Sequence, residues 1–100
     1  MLDAQRFYPD IEVACKRFDV KRLELFGSSV RDDFGEASDV DVLVEFNDLH
    51  KPGISDRYFG LAETLAAIFK RRVDLVEISA VKNPYFRESI NRNRVVVYGR

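Results

Sequence analysis

The chain has 100 residues, 46% of them hydrophobic and 33% charged, which is the size and composition of one small globular domain. Its net charge of −1 excludes a general positive field, so we expect no direct nucleic-acid binding. No apolar run approaches the roughly 18 residues that a membrane span needs, and the first residues lack the pattern of a signal peptide. The single cysteine, Cys15, allows no disulfide within the chain, so we expect a packed thiol in a cytoplasmic protein.

Apolar spacing and turn residues predict a series of helices and strands within one domain over residues 1–100. In chain order these are a helix over residues 3–18, strands over 21–26 and Val40–Phe46, a helix over 56–70 capped by Ser55, a strand over 73–78, a helix opened by Asn83 and Pro84, and a strand at Val95–Tyr98. Because Pro9 is tolerated only in the first turn of a helix, the first regular helix should begin near Tyr8. Gly60 inside the second long helix predicts a close backbone contact. Strands alternating with helices predict an α/β fold, a small mixed sheet of about four strands with helices packed on it.

Two acids stand at the start of the second predicted strand. Asp39 and Asp41 are two residues apart, so their side chains point to the same face of the sheet. Two unit charges about 4 Å apart repel by roughly 4 kcal/mol at an effective dielectric near 20, and a cation would relieve that repulsion. Carboxylate oxygens suit magnesium or manganese. A turn acid followed by an exposed strand acid is the alternative interpretation of this pair.

A corner of glycine and hydroxyl residues lies just upstream of the acids. Gly27 and Ser28 offer backbone N–H groups and a hydroxyl that could face phosphate oxygens, although many such corners are only turns. Arg31 either reaches a phosphate or pairs with Asp32 or Asp33. The corner and the acids together indicate a metal–nucleotide site.

Asp74 lies in the third predicted strand, which is well placed to neighbour the strand that carries the acid pair. If it faces the same way, it supplies a third carboxylate. Three convergent carboxylates can hold two metal ions and activate a hydroxyl nucleophile. The alternative is an acid at a strand end that pairs with Arg71 or Arg72.

Charge is distributed unevenly along the chain. Residues 32–48 contain seven carboxylates and no Lys or Arg, whereas residues 82–100 contain five basic residues and one acid. The basic segment, with Tyr85 and Phe86, is a candidate surface for a partner protein, and a solvated charge face is the commoner interpretation. His50 lies in a predicted loop, where we expect it to be solvated.

The residues above resemble the signature of a known superfamily. The run from Gly27 to Arg31, followed by residues 38–44 and 73–76, is similar to the motifs of the DNA polymerase beta-like nucleotidyltransferases, specifically the minimal nucleotidyltransferase (MNT) domains. The resemblance implies the polymerase-beta-like fold, with Asp39 and Asp41 binding magnesium that carries a nucleoside triphosphate. It further implies that Asp74 ligates metal and helps to deprotonate the accepting hydroxyl.

The same resemblance assigns the phosphates. It implies that Gly27 and Ser28 hold the β- and γ-phosphates, and the motif's arginine corresponds to Arg31. The chain departs from the family pattern at Val30 and Asp32, where the family often has alanine and glycine.

Chains of this length resemble the antitoxin of HEPN–MNT toxin–antitoxin pairs. The implied function is transfer of AMP from magnesium-ATP to a tyrosine hydroxyl of a HEPN ribonuclease toxin, which neutralises the toxin, in a hetero-oligomer with it. Two alternatives stay open. One is a non-catalytic antitoxin that inhibits its partner by binding, and the other is a nucleotidyltransferase that acts on a small molecule or an RNA end.

Overall fold

The computed structural model describes residues 2–31, 35 and 37–99, and at 89, 91 and 92 the description covers the backbone. Within these described residues, three α-helices and four strands follow one another. They are α1 (Tyr8–Arg17), β1 (Val20–Phe26), β2 (Val40–Phe46), α2 (Ile54–Phe69), β3 (Val73–Glu77), α3 (Pro84–Arg92) and β4 (Val95–Tyr98). Among the described residues no helix combines the length and the apolar character needed to cross a bilayer.

The strands form one mixed sheet in the order β3-β2-β1-β4. β1 is antiparallel to both of its neighbours, and β2 runs parallel to β3. The predicted mixed sheet of about four strands is therefore confirmed, and β4 is one of its edges. A parallel pair needs a crossover connection, and α2 provides it between β2 and β3.

The two faces of the sheet carry separate apolar clusters. The larger cluster packs α1 and α2 against alternate residues of the sheet, including Leu23, Leu25, Val40, Val42, Val44 and Leu75. The smaller one packs α3 against the opposite face through Phe26, Leu43, Val81 and Ile90. Because side chains alternate along a strand, Asp41 and Asp74 belong to the α3 face.

The helix starts follow local chemistry. A 3-10 turn at Ala4–Phe7 precedes α1, so the predicted helix over residues 3–18 is regular only from Tyr8, as Pro9 indicated. The expected cap of α2 was wrong: the helix begins at Ile54, and Gly53 with φ of 91° is its N-cap in place of Ser55. A left-handed backbone favours glycine, and this explains the shift.

Two further expectations about the helices are confirmed. The Asn83 side chain caps α3 by accepting hydrogen bonds from the N–H groups of Tyr85 and Phe86, and Pro84 follows at the first position. A Cβ added at Gly60 would lie 2.5 Å from the Phe18 ring, so the glycine does allow a close approach.

Arg57 joins two loops at the end of the sheet far from Asp41. Its guanidinium donates to the carbonyl oxygens of Phe18, Asp19 and Asn47 at 3.0, 2.9 and 2.6 Å, and to that of Asp48 at 3.3 Å. It also lies over the Phe46 ring at 5.0 Å. This clamp joins the turn before β1 to the loop after β2, where the Asp19 and Asp48 carbonyls also accept from the N–H groups of Asn47 and Lys51.

Candidate functional site

The site lies at one end of the sheet, where β1 ends and β2 and β3 begin. Across the three strands Phe26, Asp41 and Asp74 stand opposite one another in register. The Val40 N–H donates to the Arg72 carbonyl at 2.9 Å, which fixes the start of β2 against the start of β3. The two carboxylates of Asp41 and Asp74 therefore share one face on adjacent strands. The predicted neighbouring strand for Asp74 is confirmed.

A 3-10 turn at Gly27–Val30 holds the start of β2. The buried Ser29 hydroxyl accepts a hydrogen bond from the Asp41 N–H at 2.9 Å, and the Ser28 hydroxyl donates to the Asp39 carbonyl at 3.4 Å. Gly27 has φ of 62°, and an added Cβ would lie 2.3 Å from Asp41 Oδ2. Both the backbone conformation and the space beside Asp41 thus require glycine at this position.

The environment of Asp41 works against its charge. Partial burial raises the pKa of the Asp41 carboxyl, and the negative charges of Asp74 and Asp39 raise it further. The Ser28 N–H, which donates to the carboxylate, and the positive charge of Arg31 lower the pKa in part. The net shift of the pKa is upward. Keeping the Asp41 carboxylate ionised therefore costs free energy, and a cation nearby would offset that cost.

The other predicted site residues lie around Asp41. Asp39 and Arg31 are exposed and close enough for their charges to act on its carboxyl. Asp32 and Asp33, the alternative partners of Arg31, lie outside the described residues, as does Glu36. Gly27, Ser28, Arg31, Asp39, Asp41 and Asp74 are thus gathered at one end of the sheet.

The alternative interpretation of Asp74 was an ion pair with Arg71 or Arg72. None of the ion pairs between described residues includes Asp74. The Arg71 guanidinium donates to the carbonyl oxygens of Gly35 and Ser38, at 2.5 and 3.2 Å, in the segment that leads into β2. Arg71 therefore holds the segment that precedes the two acids at the start of β2.

The donor set fits magnesium when a nucleotide is present. In the described part of the chain no three His, Cys, Asp or Glu side chains form a cage for a metal ion. Magnesium commonly binds through one or two carboxylates together with substrate phosphates. The acids at the start of β2, beside a turn with N–H groups and space next to Gly27, match that arrangement.

The sequence missed two neighbours of the site. Ser29 positions Asp41 through its backbone, and the Gly27-Ser28-Ser29 corner was the only sign of it. Tyr58 of α2 donates through its hydroxyl to the Leu75 carbonyl, next to Asp74. Burial and the charge of Asp74 raise the pKa of Tyr58.

Three other residues considered in the sequence analysis lie at different distances from the site. His50 is exposed in the loop after β2, at the opposite end of that strand from Asp41. Phe86 contacts Phe26 edge to face, with ring centroids 6.2 Å apart, and Phe26 is the residue opposite Asp41. Tyr85 beside it is 82% exposed. Phe86 thus packs on the residue that stands opposite Asp41, and the role of Tyr85 and Phe86 as a partner surface stays a prediction.

Comparisons with known proteins agree with this geometry. The family model described as nucleotidyltransferase domain matches residues 11–97. A proposed protein adenylyltransferase of Methanocaldococcus jannaschii is 37% identical over 81 residues, covering 81% of this chain and 80% of the relative. The protein adenylyltransferase MntA of Thermococcus cleftensis is 41% identical over 68 residues, covering 68% and 66%.

Solved structures show the same fold. A proposed minimal nucleotidyltransferase superposes with a TM-score of 0.71 at 26% identity, covering 95% of this chain and 96% of the other. A complex of the tri-AMPylated HEPN toxin of Shewanella oneidensis with its MNT antitoxin matches with a TM-score of 0.65 at 19% identity, covering 97% and 73%. The predicted polymerase-beta-like fold is confirmed.

Proposed function

The chain belongs to the nucleotidyltransferase domain family, in its minimal form, and from that premise we propose that it is a protein adenylyltransferase and an antitoxin. In this proposal residues 1–100 form a single catalytic domain that transfers AMP from ATP to a tyrosine hydroxyl of a HEPN ribonuclease toxin. The modified toxin is inactive. A cytoplasmic location and a hetero-oligomer with the toxin belong to the same proposal.

The observation that carries the proposal is the register of Asp41 and Asp74 beside the Gly27 turn. Carboxylates on adjacent parallel strands converge where a backbone turn offers N–H groups to phosphate. Such a site suits transfer of a phosphorus-centred group between two oxygens. The relatives that are described as protein adenylyltransferases and the AMPylated HEPN complex support a protein hydroxyl as the acceptor.

The turn and the acid pair have the binding roles. Gly27 and Ser28 would hold the β- and γ-phosphates, with the Ser28 hydroxyl as one donor because the Ser28 N–H already donates to the Asp41 carboxylate, and Arg31 would add a positive charge beside them. Asp39, Asp41 and Asp74 are the proposed magnesium ligands, of which one or two at a time would hold the ion together with the nucleotide phosphates, since the described side chains form no cage of three; the ion would neutralise phosphate charge. Ser29 positions Asp41 by accepting its backbone N–H.

Asp74 has the catalytic role toward the acceptor. It takes the proton of the tyrosine hydroxyl as the phenolic oxygen attacks the α-phosphorus. The new bond joins that oxygen to phosphorus, and the bond from phosphorus to the β-phosphate oxygen breaks. Pyrophosphate leaves with that electron pair, and AMP stays on the toxin.

Isotope labelling tests the reaction directly. The protein is mixed with its HEPN partner, magnesium and ATP labelled at either the α- or the γ-phosphate. Transfer of AMP predicts that the α label appears on the partner while the γ label appears only in pyrophosphate. Labelling of the partner from the γ position would indicate phosphorylation and contradict the proposal, as would the absence of both labels.

A further inference from the structure

Two aromatic side chains at the start of α3 lie in solvent. Tyr85 and Phe86 belong to the first turn of the helix, after Pro84, and they are 82% and 40% exposed. Of the α3 side chains that the structure describes, only that of Ile90 is buried. The packing of α3 on the sheet therefore accounts for little of either ring, and adjacent exposed aromatic residues are typical of a binding surface.

Phe86 is anchored to the sheet through its ring. The ring meets that of Phe26 edge to face, with centroids 6.2 Å apart and an angle of 83° between the ring planes. Phe26 is buried in the smaller apolar cluster, so it gives Phe86 a fixed support. The part of the Phe86 ring that remains exposed is available to a ligand.

Hydrogen bonds fix the backbone that carries Phe86. Asn83 Oδ1 accepts from the N–H groups of Tyr85 and Phe86 at 2.9 and 3.4 Å. Arg87 Nε donates to the Val81 carbonyl at 2.5 Å, which ties the first turn of α3 to the segment before it. A ring that is already held in place loses little freedom when a ligand packs on it, so this arrangement favours binding.

Phe86 lies on the face of the sheet that carries the acids. Phe26 stands opposite Asp41 on the adjacent strand, so the two side chains share that face, and the next residue, Gly27, begins the nucleotide turn. Phe86 is separated from Asp41 by one strand spacing, about 5 Å, and by one ring contact of 6.2 Å. A nucleoside has a similar length. The base of a nucleotide whose phosphates bind at the turn can therefore reach the Phe86 ring.

We propose that Phe86 is the platform on which the base of the bound nucleoside triphosphate stacks. Every nucleobase has a flat π-face, and a base gains affinity when that face packs on an exposed aromatic ring. Stacking reads the face of the base and not its edge, so this platform accepts the purines of ATP and GTP alike. The inference rests on the proposed function because it assumes that the phosphates bind at the Gly27 turn.

Two ligands that differ in the base test this contact. The affinity for magnesium-ATP is measured by calorimetry, and that for magnesium tripolyphosphate, which lacks ribose and base, by its competition with ATP. Phe86→Leu removes the flat ring and keeps an apolar side chain against Phe26, whereas Phe86→Tyr keeps the ring. Tyr85→Leu, a change of the neighbouring exposed aromatic residue, is the matched control.

We expect Phe86→Leu to weaken the binding of ATP about tenfold and to leave that of tripolyphosphate unchanged. Phe86→Tyr and Tyr85→Leu should bind both ligands like the wild type.

The outcomes separate this inference from the proposed reaction. Unchanged ATP affinity in Phe86→Leu, with transfer of AMP intact, would overturn the platform and leave the reaction standing. Equal loss of ATP and tripolyphosphate would make Phe86 a support of the fold and also overturn the platform, as would a loss of affinity for the HEPN partner alone. A loss confined to ATP, with no AMP transferred by the wild type, would support the platform and overturn the reaction.

Discussion

Asp41 and Asp74 stand opposite each other in register on the parallel strands β2 and β3. In a parallel pair such residues point to the same face, so the fold itself places two negative charges side by side. Burial and that neighbouring charge both raise the pKa of Asp41. The two carboxylates therefore repel each other at this end of the sheet, and a bound cation or proton reduces that repulsion.

Gly27→Ala should damage the site. Alanine is strained at φ of 62°, and its Cβ would lie 2.3 Å from Asp41 Oδ2. We expect a loss of roughly 1–3 kcal/mol in the free energy of unfolding, and magnesium-ATP affinity should fall about tenfold or more because Asp41 must move. Urea unfolding and calorimetry measure the two effects. Gly35→Ala is the control, since a Cβ there meets no described residue within 4 Å.

The difference in folding stability between the Asp41→Asn variant and the wild type should depend on pH. The folded state raises the pKa of Asp41 above its ordinary 3.8, so the folded protein holds the proton more tightly than the unfolded chain. The associated stabilisation is present below pH 3.8 and is lost as pH rises through the folded pKa. Without nucleotide, the variant should therefore be more stable than the wild type at pH 7, and the gap should narrow toward pH 4. A constant gap, or a less stable variant at pH 7, would contradict this sign.

Asp74→Asn should separate binding from chemistry. The side chain stays nearly isosteric, so we expect most of the affinity for magnesium-ATP to remain. Transfer should fall by about 10²–10⁴-fold, the usual value of general-base assistance. Single-turnover transfer at saturating ATP measures the step. A variant that transfers at the wild-type rate would instead make Asp74 a structural acid.

Arg57→Lys should destabilise the fold and leave the site chemistry alone. One ammonium group cannot reproduce a planar guanidinium that donates to the carbonyls of two loops. We expect the free energy of unfolding to fall by about 1–3 kcal/mol. Urea denaturation checks this, with the exposed Arg72→Lys as a control that should change by no more than about 0.5 kcal/mol. If both substitutions lowered the free energy of unfolding equally, the hydrogen bonds of Arg57 would not explain the loss.

Local patterns in the sequence sufficed for most of the fold. Alternating apolar residues predicted β2 with its observed bounds, and Pro9 correctly indicated the late start of α1. The register of Asp41 with Asp74 depends on how two strands pair across a crossover, and residue spacing alone could indicate only that they were neighbours. The family resemblance predicted that these acids lie together, which residue spacing alone could not do.

Contacts over long sequence separations were the part that could not be predicted. Ser29 binds Asp41 across 12 residues, and Arg57 reaches the Phe18 carbonyl across 39. Neither residue type signals its partner, because serine and arginine are common on any surface.

The central claim is tested most directly by weighing the HEPN partner after incubation with one tenth of its molar amount of this protein. The HEPN partner is incubated with magnesium-ATP, this protein is removed, and the partner is weighed by mass spectrometry and assayed as a ribonuclease. We predict that the whole partner population gains one or more AMP units on a tyrosine and stays inactive after separation. A partner of unchanged mass that recovers its activity would show inhibition by binding alone and would contradict the transferase.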